Sequence, residues 1–438
     1  MRAMQPKSLM PTPYPPSAPT LAVPTGIIVD HFAAARRSLR IAFVTETYPP
    51  EVNGVSMTLA RVVDGLHRRN HDVQLIRPRQ PGKDAGKEGA DASSNGLRFH
   101  EVLMRGLPIP RYPNLRMGVP SKKALIKLWS THRPDVVHIA TEGPLGWSAL
   151  QAALNLKLPV STDFRTNFHA YSKHYGIGWL HKPIMAYLRK FHNRAHCTMV
   201  PTEALRRDLD SYGFRDLRVV ARGVDMQQFN STRRSAALRQ SWGAADNDLV
   251  VSCVGRLAPE KNLNTLLTAF AAIRQVQPRA KLLLVGEGPL RAELQARCPD
   301  AIFAGQRHAA DLAEHYASSD LFLFPSLTET FGNVTLEAMA SGLAVVAFNY
   351  AAAAELISSG HDGLLAPPDD GAAFVRLAVD AAQDMARCRQ LGERARLKAT
   401  ELDWASIVMR FEDALAGVMR HNEQMPGFVF AARHDPAA

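Results

Sequence analysis

The sequence predicts an α/β protein made of two doubly wound domains. Short apolar runs alternate with amphipathic stretches of helical period along most of the chain, as repeated β-α-β units require. The alternation lapses once, in a polar stretch near the middle, and then starts again. The length of 438 residues points the same way, because it exceeds what one ordinary hydrophobic core organises.

Residues 1–38 read as a disordered leader, Pro-rich and without the apolar segment of a signal peptide. The first domain is expected over 39–225. It opens with the strand "LRIAFVTE" (39–46), the amphipathic helix "SMTLARVVDGLHRR" and the strand "DVQLIRP", a β-α-β unit within about forty residues. "DVVHIAT", "PVSTDFRT", "CTMVPT" and "LRVVARGVD" read as its further strands, with helices between them. Residues 226–248, "MQQFNSTRRSAALRQSWGAADND", carry no strand pattern and read as a linker.

The second domain is expected over 249–400. Its strands are "LVVSCVGRL", "KLLLVGEG", "AIFAGQ", "DLFLFPS", "AVVAFN" and "DGLLAPP". Each is almost continuously apolar, as a strand covered on both faces of a parallel sheet should be. Residues 401–420, around "DWASIVMRFEDALAGVMR", form a last helix expected to cross back onto the first domain, and 421–438 read as a tail.

Composition narrows the function. With 46% hydrophobic and 21% charged residues the chain is of the soluble globular class. No stretch approaches the roughly 18 apolar residues that span a bilayer. Four cysteines lie scattered, without metal or disulfide spacing, which suits a reducing cytoplasm. A formal charge of +11 favours anionic partners. Nucleic acid is set aside, since no recognised binding fold or aromatic platform is present. The basic charge gathers at 171–194, where Lys173, Lys182, Arg189, Lys190 and Arg194 interleave with Trp179, Tyr187 and Phe191 and no acidic residue intervenes. That stretch reads either as a core helix with a wet face or as a helix for an anionic membrane surface.

The chemistry lies at the strand ends. Gly54 stands at the first strand-to-helix turn, where a glycine lets backbone amides approach an anion. In "VGRLAPEKN", Arg256 and Lys261 stand at the mouth of a strand and suit a diphosphate. Gly286, Glu287 and Gly288 open the next turn and Gly305 the one after; a G-x-G without its third glycine supports no dinucleotide fingerprint, which removes a nicotinamide dehydrogenase. Glu329 then hangs at the end of "LFLFP", and Glu337 follows inside the next helix, past Phe331, Gly332 and Asn333. With the diphosphate on the cations and helix-end amides, the carboxylates are left to accept from hydroxyls, Glu329 from a sugar and Glu337 from a ribose. The D-x-D of Asp208 and Asp210 falls in a helical stretch, where the two side chains splay apart, and reads as surface.

On these residues the chain resembles glycosyltransferase family 4, over about 39–418. The E-x7-E pattern from Glu329 to Glu337 carries most of the likeness, together with "VGRLAPEKN", "VGEGP", "ARGVD" and "YPPEVNGV". The resemblance implies the GT-B fold, two Rossmann-like domains facing across a cleft, with the acceptor on the first and the nucleotide sugar on the second. It gives the donor diphosphate to Arg256 and Lys261, the donor sugar to Glu329, the ribose to Glu337 and loop closure to Gly54. The chain departs from the pattern where Val55 follows Gly54 in place of a second glycine. Where many members hold a histidine it has Ala140, Thr141 or Glu142, and where many read F-H-T it has Phe164, Arg165 and Thr166. Glu142, Asp163, Arg165 and His169 are therefore the acceptor-side candidates. Further similarity to bacterial lipid-directed members implies a retaining hexosyltransferase, mannose favoured, that takes a GDP- or UDP-hexose to a lipid or glycan hydroxyl. It is expected to work without metal or cofactor, in the cytoplasm or peripherally on the inner membrane's cytoplasmic face. A nucleotide-sugar epimerase or hydrolase of the same fold is the alternative.

Overall fold

The computed structural model describes residues 38–51, 54–80, 84, 99–109, 112–165, 181–329 and 331–423. The leader up to residue 37, His169, Lys173, Trp179 and the tail beyond residue 423 lie outside the described residues.

Nine strands belong to the first half of the chain: β1 (Arg40–Val44), β2 (Asp72–Pro78), β3 (His100–Met104), β4 (Gly106–Ile109), β5 (Tyr112–Gly118), β6 (Val136–Ile139), β7 (Val160–Asp163), β8 (Cys197–Val200) and β9 (Leu217–Val219). Seven of them form one parallel sheet in the order β3-β2-β1-β6-β7-β8-β9. The second half supplies β10 (Val250–Val254), β11 (Lys281–Val285), β12 (Ile302–Gly305), β13 (Leu321–Phe324), β14 (Ala344–Phe348) and β15 (Leu364–Ala366). They form a second parallel sheet in the order β12-β11-β10-β13-β14-β15. Every residue of β6, β10, β13 and β14 is buried, which is why those runs are apolar without alternation apart from His138 and Ser252.

Each sheet reverses its winding at one place, between β1 and β6 in the first and between β10 and β13 in the second. At such a point neighbouring strands send their connections to opposite faces and leave a crevice beyond their C-terminal ends. Of the strand-end residues singled out in the sequence, Gly54, Glu142, Arg256, Lys261 and Glu329 follow the strands at these two points.

Sequence reasoning passed over β3 and the antiparallel β4–β5 hairpin. β3 is an edge strand with a single buried residue, Glu101, so no apolar run marks it. Glu101 instead accepts from Arg77 Nε (2.6 Å), while the Arg77 guanidinium makes a forked pair with Asp84 (2.8 and 2.8 Å). The 226–248 stretch, read as a linker, is built into the second domain. Phe229, Trp242 and Ala244 join the core around Tyr316 and Phe322. Arg239 is buried with them because it donates to the Ser318 and Asp248 carbonyls (2.8 and 2.7 Å) and to Asp320 (3.0 Å). A guanidinium bonded through both terminal nitrogens lets a polar sequence serve as domain wall.

The helix Trp404–Glu423 returns to the first domain. Val408, Phe411, Ala414, Leu415 and Val418 pack among Leu59, Val62, Val63 and Leu66 of the helix Gly54–Arg68. The helices approach closely because Gly65 has no side chain; a Cβ there would stand 2.4 Å from Val408. Among the described residues no helix is long and apolar enough to cross a membrane.

Arg77→Met should destabilise the protein by about 3–5 kcal/mol, since it strands two buried carboxylates, Asp84 and Glu101. Urea unfolding checks this, and a loss under about 1 kcal/mol would show that the two acids lose their charge or reach water instead.

Candidate functional site

On the second sheet, the turn after β10 and the loop after β13 are stitched together. Leu327 N donates to the Glu260 carbonyl (3.2 Å), which fixes the short 3-10 turn Pro259–Lys261 against residues 325–329. Lys261 Nζ thereby forms an ion pair with Glu329, whose same oxygen accepts from Ser326 Oγ (2.8 Å). The Tyr350 hydroxyl donates to the Glu329 carbonyl (3.1 Å) and sets the loop from the other side. Arg256, half exposed, stands 3.9 Å from Glu260 and reaches into the same crevice.

Glu337 lies one turn into the helix Asn333–Ala340 and accepts from the Tyr316 hydroxyl (3.0 Å). Burial pushes its carboxyl up to about 7, and the Tyr316 hydrogen bond offsets only part of that. Gly332 caps the helix with φ 92°, a conformation that strains any residue with a side chain. Asn333 Oδ1 is buried with no hydrogen-bond partner among the described residues. Its amide faces the first domain: a Cβ placed on Gly54 would lie 4.0 Å from Asn333 Nδ2. Two helix N-termini, those of Gly54–Arg68 and Asn333–Ala340, thus meet across the cleft, and both favour an anion between them.

Three of the other donor-side expectations have a packing reason in the structure. A Cβ on Gly286 would stand 2.0 Å from the Gly255 carbonyl, and one on Gly288 would stand 2.2 Å from that of Leu257. Both glycines let the turns after β10 and β11 touch. Phe331 is buried in the core, with the Arg222 guanidinium 5.9 Å above its ring. Glu287 pairs with Arg291, and Gly305 closes β12 with φ 72°.

On the first sheet, Glu142, Asp163 and Arg165 come together at the ends of β6 and β7; His169 lies outside the described residues. Arg165 pairs with Asp163, and both are buried. Burial raises the Asp163 carboxyl, against the pull of Arg165 and Arg222. His138 is enclosed between Phe43 and Phe411 (ring centroids 4.8 Å from each), accepts or donates at Ser161 (3.0 Å), and is kept neutral by burial. Asp208 and Asp210 are exposed on the helix Glu203–Ser211.

Sequence reasoning missed three residues here. Glu46, at the end of β1, accepts from Leu145 N (2.8 Å) in the space that Gly143 leaves, and burial pushes it up to about 7. Arg222, buried, makes no hydrogen bond among the described residues; burial and then Arg165 push it down to about 10, against the charges of Asp163 and Glu329. It belongs to "ARGVD", so the motif was on view although the role of its arginine was not. His192, buried beside Glu142, gave no signal beyond an ordinary helix position.

Known proteins resemble this chain over most of its length. A family model described as Glycosyltransferase Family 4 matches residues 52–228, and one for group 1 glycosyl transferases matches 248–384. The chain is 37% identical over 331 residues to a GDP-mannose-dependent alpha-mannosyltransferase of Mycobacterium tuberculosis, covering 75% of this chain and 84% of that one. It is 30% identical over 336 residues to the sulfoquinovosyl transferase SQD2 of Arabidopsis thaliana, covering 74% and 64%. Among solved structures, Anabaena Alr3699/HepE in complex with UDP and glucose superposes with a TM-score of 0.67 at 19% identity, over 86% of this chain and all of that one. Sucrose-phosphate synthase of Thermosynechococcus elongatus gives 0.69 at 18% identity, over 88% of this chain.

A ribose that donates to Glu337 needs the ionised carboxylate, whereas the free protein holds the proton up to about pH 7. Nucleoside-diphosphate affinity should therefore rise with pH through about 7 and then level off. Binding below that point should release a proton, visible by calorimetry in buffers of different ionisation heat. The same carboxyl adds stability at low pH, lost as pH climbs through about 7, because its folded value lies above its unfolded one. Glu337→Gln should flatten the affinity profile and weaken binding by roughly 1.5–3 kcal/mol. A profile equally steep in that variant would take Glu337 out of the nucleotide site.

Proposed function

Since this chain belongs to glycosyltransferase family 4 and has the GT-B fold, we propose that it is a retaining hexosyltransferase that works without a metal ion. It transfers mannose from GDP-mannose to a hydroxyl of a membrane lipid or lipid-linked glycan. The observation that carries the reading is the crevice at the reversal of the second sheet. There two cations, an ion-paired glutamate, a partly buried acid and two facing helix ends converge. A nucleoside diphosphate sugar is matched in each part, with the diphosphate on Arg256, Lys261 and the amides, the hexose on Glu329 and the ribose on Glu337. The mannosyltransferase relative supports the donor, and an alpha-monoglucosyldiacylglycerol synthase of Streptococcus pneumoniae, 26% identical over 341 residues, supports a lipid acceptor. The relatives named above are transferases, so the epimerase or hydrolase alternative draws no support from them.

In the reaction, Lys261 leaves Glu329 to meet the arriving phosphates, and the freed carboxylate accepts from the hexose. The bond from the anomeric carbon to the diphosphate breaks as the acceptor oxygen enters on the same face. The acceptor's proton passes to the departing phosphate oxygen. Charge grows on the diphosphate as the bond opens, and Arg256, Lys261 and the helix ends stand where it grows. Fixed cations in a crevice of low dielectric stabilise that charge more than water does. Glu142, Asp163 and Arg165 face this point from the first domain and take the acceptor side.

The helix His181–His192 supports a membrane role. Met185, Leu188 and Phe191 are buried, while Lys182, Arg189 and Lys190 are exposed with no acidic residue among them. It is a core helix with a basic outer face, and the proposal places that face on anionic lipid at the cytoplasmic surface.

Two experiments test the reading. Transfer from GDP-mannose should survive excess EDTA and yield an α-linked product by proton NMR. Loss restored by manganese, or a β-linked product, would overturn metal independence or retention respectively. Binding to anionic vesicles should weaken with salt and weaken further in the Lys182→Gln/Lys190→Gln variant, by about 1 kcal/mol per charge. Vesicle binding unchanged in that variant would remove this helix from the membrane contact.

A further inference from the structure

The helix His181–His192 grips residue 142 from two sides. The Tyr187 hydroxyl donates to the Glu142 carbonyl oxygen. Five residues on, His192 Nε2 stands 3.4 Å from Glu142 Oε1. Both of these atoms are sealed from solvent, and neither has a hydrogen-bond partner among the described residues. Glu142 itself follows β6 at the point where the first sheet reverses its order.

The other edge of the His192 ring is fixed. Its Nδ1 lies 2.9 Å from Thr162 Oγ1, and Thr162 Oγ1 lies 2.9 Å from Thr198 Oγ1. Thr162 Oγ1 also lies 3.5 Å from the Cys197 carbonyl, so it either donates there and accepts from Nδ1 or donates to Nδ1; in the second arrangement the ring proton lies on Nε2, on the Glu142 side. Phe164, Phe191 and Phe214 enclose the ring, with centroids 5.3, 5.1 and 5.9 Å away. The imidazole is held along its Nδ1 edge and enclosed all round, while Nε2 stands beside one carboxylate without completing a hydrogen bond to it. A separation of 3.4 Å is long for that bond, as is common where a site tightens only with substrate present.

We propose that His192 is a positioning residue, which holds one oxygen of Glu142 so that the other receives the acceptor hydroxyl in the cleft. The inference rests on the acceptor-side assignment of Glu142 made above. It also ties that carboxylate to the helix whose outer face is basic. A shift of the helix would move the Glu142 backbone through Tyr187 and its side chain through His192 together.

The test uses two amides of different reach. The side-chain nitrogen of Gln overlays Nε2 of histidine, and that of Asn overlays Nδ1. His192→Gln should keep the acceptor kcat/KM near the parent, and His192→Asn should lower it by about ten- to a hundredfold, the scale of an ångström misplacement. Rates are read with GDP-mannose and a detergent-dispersed bacterial lipid extract at varied dilution. The GDP-induced rise in Tm confirms that each variant is folded and binds the nucleotide. In a Glu142→Ala background, His192→Asn should cost nothing more, because the residue acts only through Glu142. Additive losses in that cycle, or a Gln variant as poor as Asn, would overturn the inference. An unimpaired Glu142→Ala would instead overturn the acceptor-side reading beneath it, and a parent protein that GDP leaves unshifted would overturn the nucleotide site.

Discussion

The ion pair between Lys261 and Glu329 joins the turn after β10 to the loop after β13, the two strands between which the second sheet reverses. Both side chains are largely buried, with 16% and 15% of their surface exposed. A pair withdrawn this far from water is a poor source of stability, because desolvation takes back much of the attraction. Its value on the proposed reading lies elsewhere. Each partner holds the other in place until a ligand offers both a better match, phosphate oxygens for the lysine and hydroxyls for the carboxylate. Ser326 and Tyr350 hold the glutamate loop while this exchange occurs.

Arg222 extends the arrangement across the cleft. It lies against Phe331 of the second domain and shares the field of Asp163 and Arg165 in the first. Burying a guanidinium is costly in isolation, and its depressed affinity for the proton reports that cost. The cost is bearable where two carboxylates, Asp163 and Glu329, lie on either side. On the proposed reading, this one arginine couples the acceptor-side charges to the donor-side glutamate.

What the sequence made legible follows from how burial marks a chain. β13 and β14, covered on both faces, are apolar throughout, and β10 breaks the run only at Ser252, so these strands stood out, and with them the ends where Arg256, Lys261 and Glu329 sit. β3 stayed hidden because its buried residue is Glu101, paired with Arg77. The 226–248 segment looked like a linker because its anchor is Arg239, and a guanidinium that donates to carbonyls leaves no hydrophobic trace. Gly286 and Gly288 were visible as a motif, but only the built backbone shows that each glycine makes room for a neighbouring carbonyl. His192 and Glu46 escaped because their meaning is a partner distant in sequence: Glu142 for one, the start of the helix Pro144–Asn155 for the other.

The helix His181–His192 concentrates three requirements on one short element. Met185, Leu188 and Phe191 must fill the core, His192 must reach Glu142, and the remaining positions are free to be basic. The period of 3.6 residues makes these compatible: residues 185, 188 and 192 share the inward stripe, while 182, 189 and 190 turn outward. An acidic residue on the outward face would leave the core untouched and weaken the attraction to anionic lipid. A helix that only filled the core would need neither the histidine nor the uniform charge. The pattern is over-determined for packing alone, and on the proposed reading the surplus is what lets a lipid surface and an acceptor carboxylate share one rigid support.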